Sequence, residues 1–209
     1  MKLFTFVEGP IENNTYLVAD SAGGEAMVVD APFGSAEVIA RAARDHKLTV
    51  RSIVTTHGHW DHIADLAALK RLTGAALLCH PADEILLMDP DRMRAFGMPG
   101  TLEPVGADRN LNHGDTVTVG ALAFRVLHCP GHAPGHIVLH EPREKICFCG
   151  DVIFAGSVGR TDLPGCSWDA LARSIRENIL SLPDDTRLLP GHGPETTVGY
   201  ERENNPFLQ

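Results

Sequence analysis

The residues best equipped for chemistry stand in four short segments. The densest is Thr56-His57-Gly58-His59-Trp60-Asp61-His62, directly after the apolar strand residues Ile53-Val54. His57 and His59 are two apart at a strand end, where extended backbone points both imidazoles to the same side. Asp61 continues that direction, and His62 follows as the chain turns into a helix. His132 lies in Cys129-Pro130-Gly131-His132-Ala133-Pro134-Gly135-His136, whose prolines and glycines fix a tight loop. Asp151 follows the run Ile146-Cys147-Phe148-Cys149-Gly150, and a carboxylate ending a buried strand must be paired, capping or metal-bound. His192, in Leu189-Pro190-Gly191-His192-Gly193, repeats the strand-end Gly-His pattern. His128 and His136 read as bystanders on adjoining strands.

Together the segments offer five His and two Asp out of a total of 11 histidines. Imidazole with carboxylate suits zinc, iron or manganese, whereas calcium and magnesium want oxygen ligands. Seven ligands are too many for one tetrahedral ion and suit two divalent ions sharing a carboxylate and a hydroxide, with zinc the first expectation. Such a pair, ~3.5–4 Å apart, brings the pKa of bridging water towards ~7 and polarises a carbonyl oxygen. The metals would then provide both nucleophile and oxyanion stabilisation. That agrees with the lack of a Gly-x-Ser-x-Gly elbow and of a Gly-rich phosphate loop. Cysteine contributes little: the five residues form no disulfide framework, and Cys147 and Cys149 read as small core residues of one strand.

The elements that must position these residues alternate along the chain. Strands are expected at Lys2-Phe6, Thr15-Asp20 and Ala26-Asp30, with turn residues Gly23-Gly24 between the last two. Ser35 can cap a helix to about Lys47. Val50-Thr55 reads as a strand, followed by a helix from His62 with Ile63, Leu66, Leu69 and Leu72 at helical spacing. A strand at Ala75-Cys79 and a helix at Ala82-Met88 precede a long irregular loop over 89–113, the kind that in a compact domain is functional or mobile. Strands at Thr116-Val119, Ala121-His128, His136-His140 and Lys145-Cys149 come next, then a helix at about Trp168-Leu180, a strand at Arg187-Leu189 and a helical tail over Glu195-Asn205. Interleaved helices and hairpins favour a mixed-sheet sandwich covered by helices over a purely parallel sheet.

The 209 residues fit one domain, with 44% hydrophobic and 22% charged residues. A formal charge of -9 and 18 scattered Lys and Arg residues argue against a nucleic-acid partner. No apolar run is long enough for a membrane span, and MKLFTFVEGP does not read as a signal peptide; the default expectation is cytoplasmic.

Through Thr56–His62, the PGH at His132, the GD at Asp151 and the GH at His192, the sequence resembles the metallo-β-lactamase superfamily. The resemblance implies an αβ/βα four-layer sandwich, two mixed β-sheets face to face with helices outside, spanning 1–209. It places His57, His59 and His132 at one metal, and Asp61, His62 and His192 at the other. Asp151 bridges them, and Asp61 and Asp151 serve catalysis. An Asp rather than a Cys at 151 is unlike the antibiotic-hydrolysing members. Phe154–Leu163 and Gly191–Thr197 resemble the glyoxalase II (hydroxyacylglutathione hydrolase) branch in its short form, without a C-terminal substrate region. The resemblance implies hydrolysis of a small-molecule thioester, a glutathione-derived one such as S-lactoylglutathione, with Arg160 near the substrate; a salt bridge from Arg160 to Asp162 is the alternative. A mono-iron persulfide dioxygenase using His57, His132 and Asp151, and a lactone or ester hydrolase, are the competing expectations.

Overall fold

The structure, a computed structural model, describes residues 1–20, 22 and 24–209; Gly23 of the expected turn lies outside the described residues. The first sheet contains β1 (Lys2–Glu8), β2 (Asn13–Ala19), β3 (Glu25–Val29), β4 (Thr49–Val54), β5 (Ala76–Cys79) and β6 (Arg109–Asn110) in that order. Pairing is antiparallel up to β3 and parallel beyond it. The second sheet takes β7 (Thr116–Val119), β8 (Leu122–His128), β9 (Ile137–Glu141) and β10 (Ile146–Gly150). A small hairpin of β11 (Ile153–Phe154) and β12 (Ser157–Val158) comes next, before β13 (Arg187–Pro190) and β14 (Thr196–Thr197). Its order is β14-β13-β10-β9-β8-β7, antiparallel except for the β10–β13 pair.

Burial explains the layers. β2 is buried at every residue, which requires cover on both faces of its sheet. Tyr16 and Val18 face the second sheet and pack with Phe124, Val126, Ile137 and Phe148 in a core between the sheets. Leu17 and Ala19, on the opposite face, pack with Ile39 of α1 (Ser35–Asp45), with α2 (Trp60–Ile63) and with Leu66 and Leu69 of α3 (Leu66–Thr73). The outer face of the second sheet puts Cys147, Cys149 and Leu188 against Leu171 of α5 (Trp168–Ser174), reached after the short α4 (Glu84–Met88), and against Val198 of α6 (Val198–Asn204). Two mixed sheets therefore lie between two helical layers, and the paired cysteines are core residues.

Several local expectations differ from the structure. The helix expected from His62 is two helices, because the Asp65 N–H turns aside to the Ala31 carbonyl and its carboxylate accepts from Ala36 N–H. Ser35 does not cap α1: the N-cap is Gly34, and the buried Ser35 hydroxyl has no partner. Leu72 is exposed rather than packed. Residues 89–113 contain a 3₁₀ turn at Pro90–Phe96 and the edge strand β6. The helix after Trp168 continues as a π-type turn over Ile175–Ile179, and the tail becomes helical only at Val198, where Thr197 caps it. Among the described residues, no helix is long and apolar enough to cross a membrane.

One edge of the sandwich gathers the chemistry. Asn14 N–H bonds to the Gly191 carbonyl, Gly191 N–H to Gly150, and Ile137 N–H to Thr56. These cross-links bring the C-terminal ends of β3, β4, β10 and β13 and the start of β2 to the same place.

Candidate metal centre

The structure brings all seven expected residues into two adjoining clusters. In the first, ligand atoms of His57, His59 and His132 lie within 4.8 Å of one another, as do those of Asp61, His62, Asp151 and His192 in the second. Asp151 sits between them. Its Oδ2 is 3.5 Å from His132 Nε2 in one cluster and 3.6 Å from His192 Nε2 in the other, and its Oδ1 is 3.4 Å from His62 Nε2. Gly191 keeps that space open: a Cβ there would overlap Asp151 Oδ1 and come within 2.6 Å of His62 Cε1.

Hydrogen bonds outside the clusters fix how four imidazoles face. His132 Nδ1–H donates to the Arg160 carbonyl (2.8 Å), His192 Nδ1–H to the Ile11 carbonyl (3.1 Å), and His62 Nδ1–H to Asp30 Oδ2 (2.8 Å). Thr56 Oγ1–H is committed to Asp30 Oδ2 (2.8 Å), so it accepts from His57 Nδ1 at 3.0 Å. This pattern assigns the Nε2 lone pair of each neutral ring to the interior of the site, as in histidines that ligate metals. His57 Nε2 and His132 Nε2 then face each other at 3.2 Å, and His192 Nε2 faces Asp61 Oδ2 at 3.2 Å. Acceptors that converge so closely need a cation or a proton between them.

The charge balance asks for the same thing. Asp30, Asp61 and Asp151 are buried, and the hydrogen bonds and ion pairs of their carboxylates run to His62, His132, His192, Thr56 and Asn13, with no Lys or Arg among them. Buried anions without compensation are unfavourable by several kcal/mol each, of order. Burial would lower the pKa of His62, yet Asp151, Asp61 and Asp30 raise it well above the ordinary value. Burial would likewise raise Asp61 and Asp151, but His62 outweighs it and both carboxyls are held well below the usual range. Burial pushes His57 well down and His59 down to about 3, leaving both neutral and open to a cation. The buried Asp151 Oδ1 accepts no hydrogen bond. The residues present fit two divalent ions, and the His/Asp cluster is typical of a dinuclear metal site.

An expected result follows for stability. With free ion at ~1,000 times its dissociation constant, the folded state gains about 4 kcal/mol, which at 2–4 °C per kcal/mol amounts to roughly 8–16 °C in Tm for a chain of this size. Calorimetry before and after exhaustive chelation checks it. A Tm unmoved by chelation and by adding back zinc, manganese or ferrous iron would remove the metal centre.

Other residues support the site that sequence reasoning did not single out. Asn13 Nδ2 donates to Asp61 Oδ2 (2.7 Å) and lies 3.3 Å from His62 Nε2. Asp30 holds Thr56 and His62 together. Asp83 accepts from Gly58 N–H (2.9 Å) and Gly135 N–H (2.6 Å), tying the His57 loop to the His132 loop. His136 is no bystander: its ring stacks on His57 at 4.7 Å, and its Nε2 accepts from Asp151 N–H at 3.0 Å. His128 does stay outside the clusters, stacked on His80 at 4.1 Å. Arg160 lines the cavity that adjoins the clusters, and its exposed guanidinium forms two 2.7 Å hydrogen bonds with Asp162.

Comparison with known proteins agrees with this geometry. The family model of the metallo-beta-lactamase superfamily matches residues 9–192. The hydroxyacylglutathione hydrolase GloC of Haemophilus influenzae is 36% identical over 186 residues, covering 88% of this chain and 87% of that protein. Among solved structures, the BLEG-1 B3 metallo-beta-lactamase superposes with a TM-score of 0.93 at 34% identity, with all of both chains covered. TTHA1623, solved in a di-iron-bound form, gives 0.87 at 38% identity over 98% of this chain and all of the other.

Proposed function

Because the chain belongs to the metallo-beta-lactamase superfamily of metallo-hydrolases, we propose that it is a thioester hydrolase of the glyoxalase II kind, with S-lactoylglutathione as its reference substrate and zinc as its first metal. The observation that carries the reading is Asp151, set between two complete clusters whose Nε2 lone pairs face inward. The likeness to GloC supports the thioester part. Two bound divalent ions would supply an activated water and polarise the acyl oxygen.

The protein's own groups would do the rest. His57, His59 and His132 would hold one ion and Asp61, His62 and His192 the other, with Asp151 available to both. Asp61 and Asp151 work as fixed negative charge, since their neighbours keep them ionised. Trp60, Met93, Phe96 and Leu163 line the cavity over the site and limit the water around the acyl group. Arg160 receives a carboxylate of the substrate by exchanging its partner Asp162, as guanidinium geometry permits.

That exchange predicts opposite effects at one pair. Arg160→Ala raises KM for S-lactoylglutathione with kcat held, the mark of lost uniform binding. Asp162→Ala lowers KM modestly, because an exposed ion pair competes only weakly for the guanidinium. Steady-state kinetics of both variants measure it; equal KM values in the two would leave Arg160 a surface ion pair only.

The reading itself is tested on apoprotein reconstituted with zinc and assayed anaerobically with S-lactoylglutathione. Turnover there is the expected result, since hydrolysis needs neither oxygen nor a redox change. No turnover with zinc or manganese, together with oxygen uptake on glutathione persulfide after iron loading, would assign the site to a dioxygenase instead.

A further inference from the structure

The segment expected as an irregular loop from residue 89 does more than connect strands. With α4 before it, the 3₁₀ turn at Pro90–Phe96 roofs a second cavity of about 410 Å³ beside the metal centre. This volume is within the ~300–1,000 Å³ range of small-molecule sites. The two cavities share His59, Met93, Phe96 and Leu163, so the second opens onto the first cluster.

The lining of the second cavity is apolar: Ile85, Leu86, Met93, Phe96, Leu163 and Pro134. Its charged members are already engaged. Arg92 Nε is 3.0 Å from Asp89 Oδ2, and both oxygens of Asp83 accept backbone N–H groups. A charged arm would meet only Arg92, whose guanidinium stands exposed to water beside Asp89, whereas an apolar arm would be desolvated against a wall that includes an adaptable methionine. Ile85, half exposed at 50%, lines the cavity and adds apolar surface at its entrance.

We infer that the substrate has one apolar arm, of about hexyl or benzyl bulk, which lies in this cavity while its acyl carbon stands at the metal centre. This rests on the hydrolase reading above and goes past its reference substrate: S-lactoylglutathione has no such arm, and a thioester that bears one should be cleaved better, with the other arm left to the Arg160 side.

Two series of thioesters test it on the zinc-loaded protein. One varies the acyl group on N-acetylcysteamine from acetyl through butanoyl to hexanoyl and phenylacetyl; the other keeps acetyl and varies the thiol from N-acetylcysteamine to hexanethiol and benzyl mercaptan. In one series kcat/KM should rise by up to about fourfold per added methylene, the value of a fully buried CH₂. Thioester cleavage with flat or falling kcat/KM in both series would overturn the inference and leave the hydrolase reading standing.

If no thioester is cleaved, the hydrolase reading fails, and binding alone decides the cavity. The inert thioether S-hexyl-N-acetylcysteamine should bind at least tenfold tighter than its S-methyl analogue by calorimetry; equal binding overturns the inference. Ala82 is exposed and lines the cavity, so Ala82→Trp can fill it without disturbing the core. That variant should cut the apolar-to-acetyl ratio of kcat/KM at least tenfold, or erase the hexyl preference in binding, and Ile85→Asp should act in the same direction. Unchanged preference in both folded variants would also overturn it.

Discussion

Asp151→Ala should lose both ions and lower kcat/KM by on the order of 10³-fold or more, about 4 kcal/mol of transition-state stabilisation. The reason is position. Asp151 lies within 3.6 Å of histidine Nε2 atoms from both clusters, so its loss removes a ligand from each. His62→Ala or Asp61→Ala should instead empty mainly the second cluster, because the first keeps its three imidazoles. Elemental analysis separates the cases: below one ion per chain for Asp151→Ala, and about one for the other two. Stability supplies a control that a merely structural role would fail. Chelation should shift Tm far less in Asp151→Ala than in the wild type, because the variant holds too few ions to lose. A variant that keeps two ions and full turnover, or one whose Tm falls on chelation as far as the wild type's, would sink the bridging role.

How far the site could be read from the sequence depended on whether a residue carried its own signal. Each expected ligand follows an apolar strand and stands beside glycine or in a Gly- or Pro-bearing turn, and that pattern survives without knowledge of which strands are neighbours. Asp30 ends an apolar strand in the same way as Asp151, yet its role depends on pairing: β3 runs parallel to β4 with Val29 opposite Val54, which sets Asp30 beside Thr56. Asn13 depends on the two sheets meeting, where it bridges to His192. His136 sits one residue before β9, and only the crossing of Ile137 N–H to the Thr56 carbonyl brings its ring onto His57. The sheets were legible because alternation and apolar runs are local. The break between α2 and α3 was not, since a contact with Ala31 more than thirty residues earlier produces it. Likewise the loop from residue 89 could be marked as functional or mobile by its length, but not as the roof of an apolar cavity.

Asp30→Asn should weaken metal retention by on the order of 10²-fold or more while leaving the fold intact. Asp30 holds φ at 61°, a left-handed conformation that Asn tolerates better than most residues, and the two side chains have nearly the same shape. Asp30 Oδ1 accepts from Thr56 N–H at 2.7 Å, and an Asn oxygen can keep that bond. The change falls on Oδ2, which accepts from both Thr56 Oγ1 and His62 Nδ1. An NH₂ group there donates to both. His62 must then carry its proton on Nε2, and its lone pair no longer faces the metal. Thr56, now accepting from Asn, turns its own proton towards His57 Nδ1 at 3.0 Å, which drives the His57 proton to Nε2 as well. One substitution outside the ligand set thus reverses the tautomer of a ligand in each cluster. Orienting partners of this kind are worth ~10–100-fold each in metal affinity, and a carboxylate-to-amide change that selects the wrong imidazole tautomer can reduce kcat by ~10⁴ in a serine protease triad. Chelator competition should show both ions held more weakly, and nitrogen-15 NMR of the apoprotein should show the neutral His57 ring protonated at Nε2 in the variant and at Nδ1 in the wild type. Thr56→Ala, which breaks only the His57 branch, should affect the first cluster alone. Wild-type affinity for both ions in Asp30→Asn would show that Asp30 does not set the imidazole tautomers.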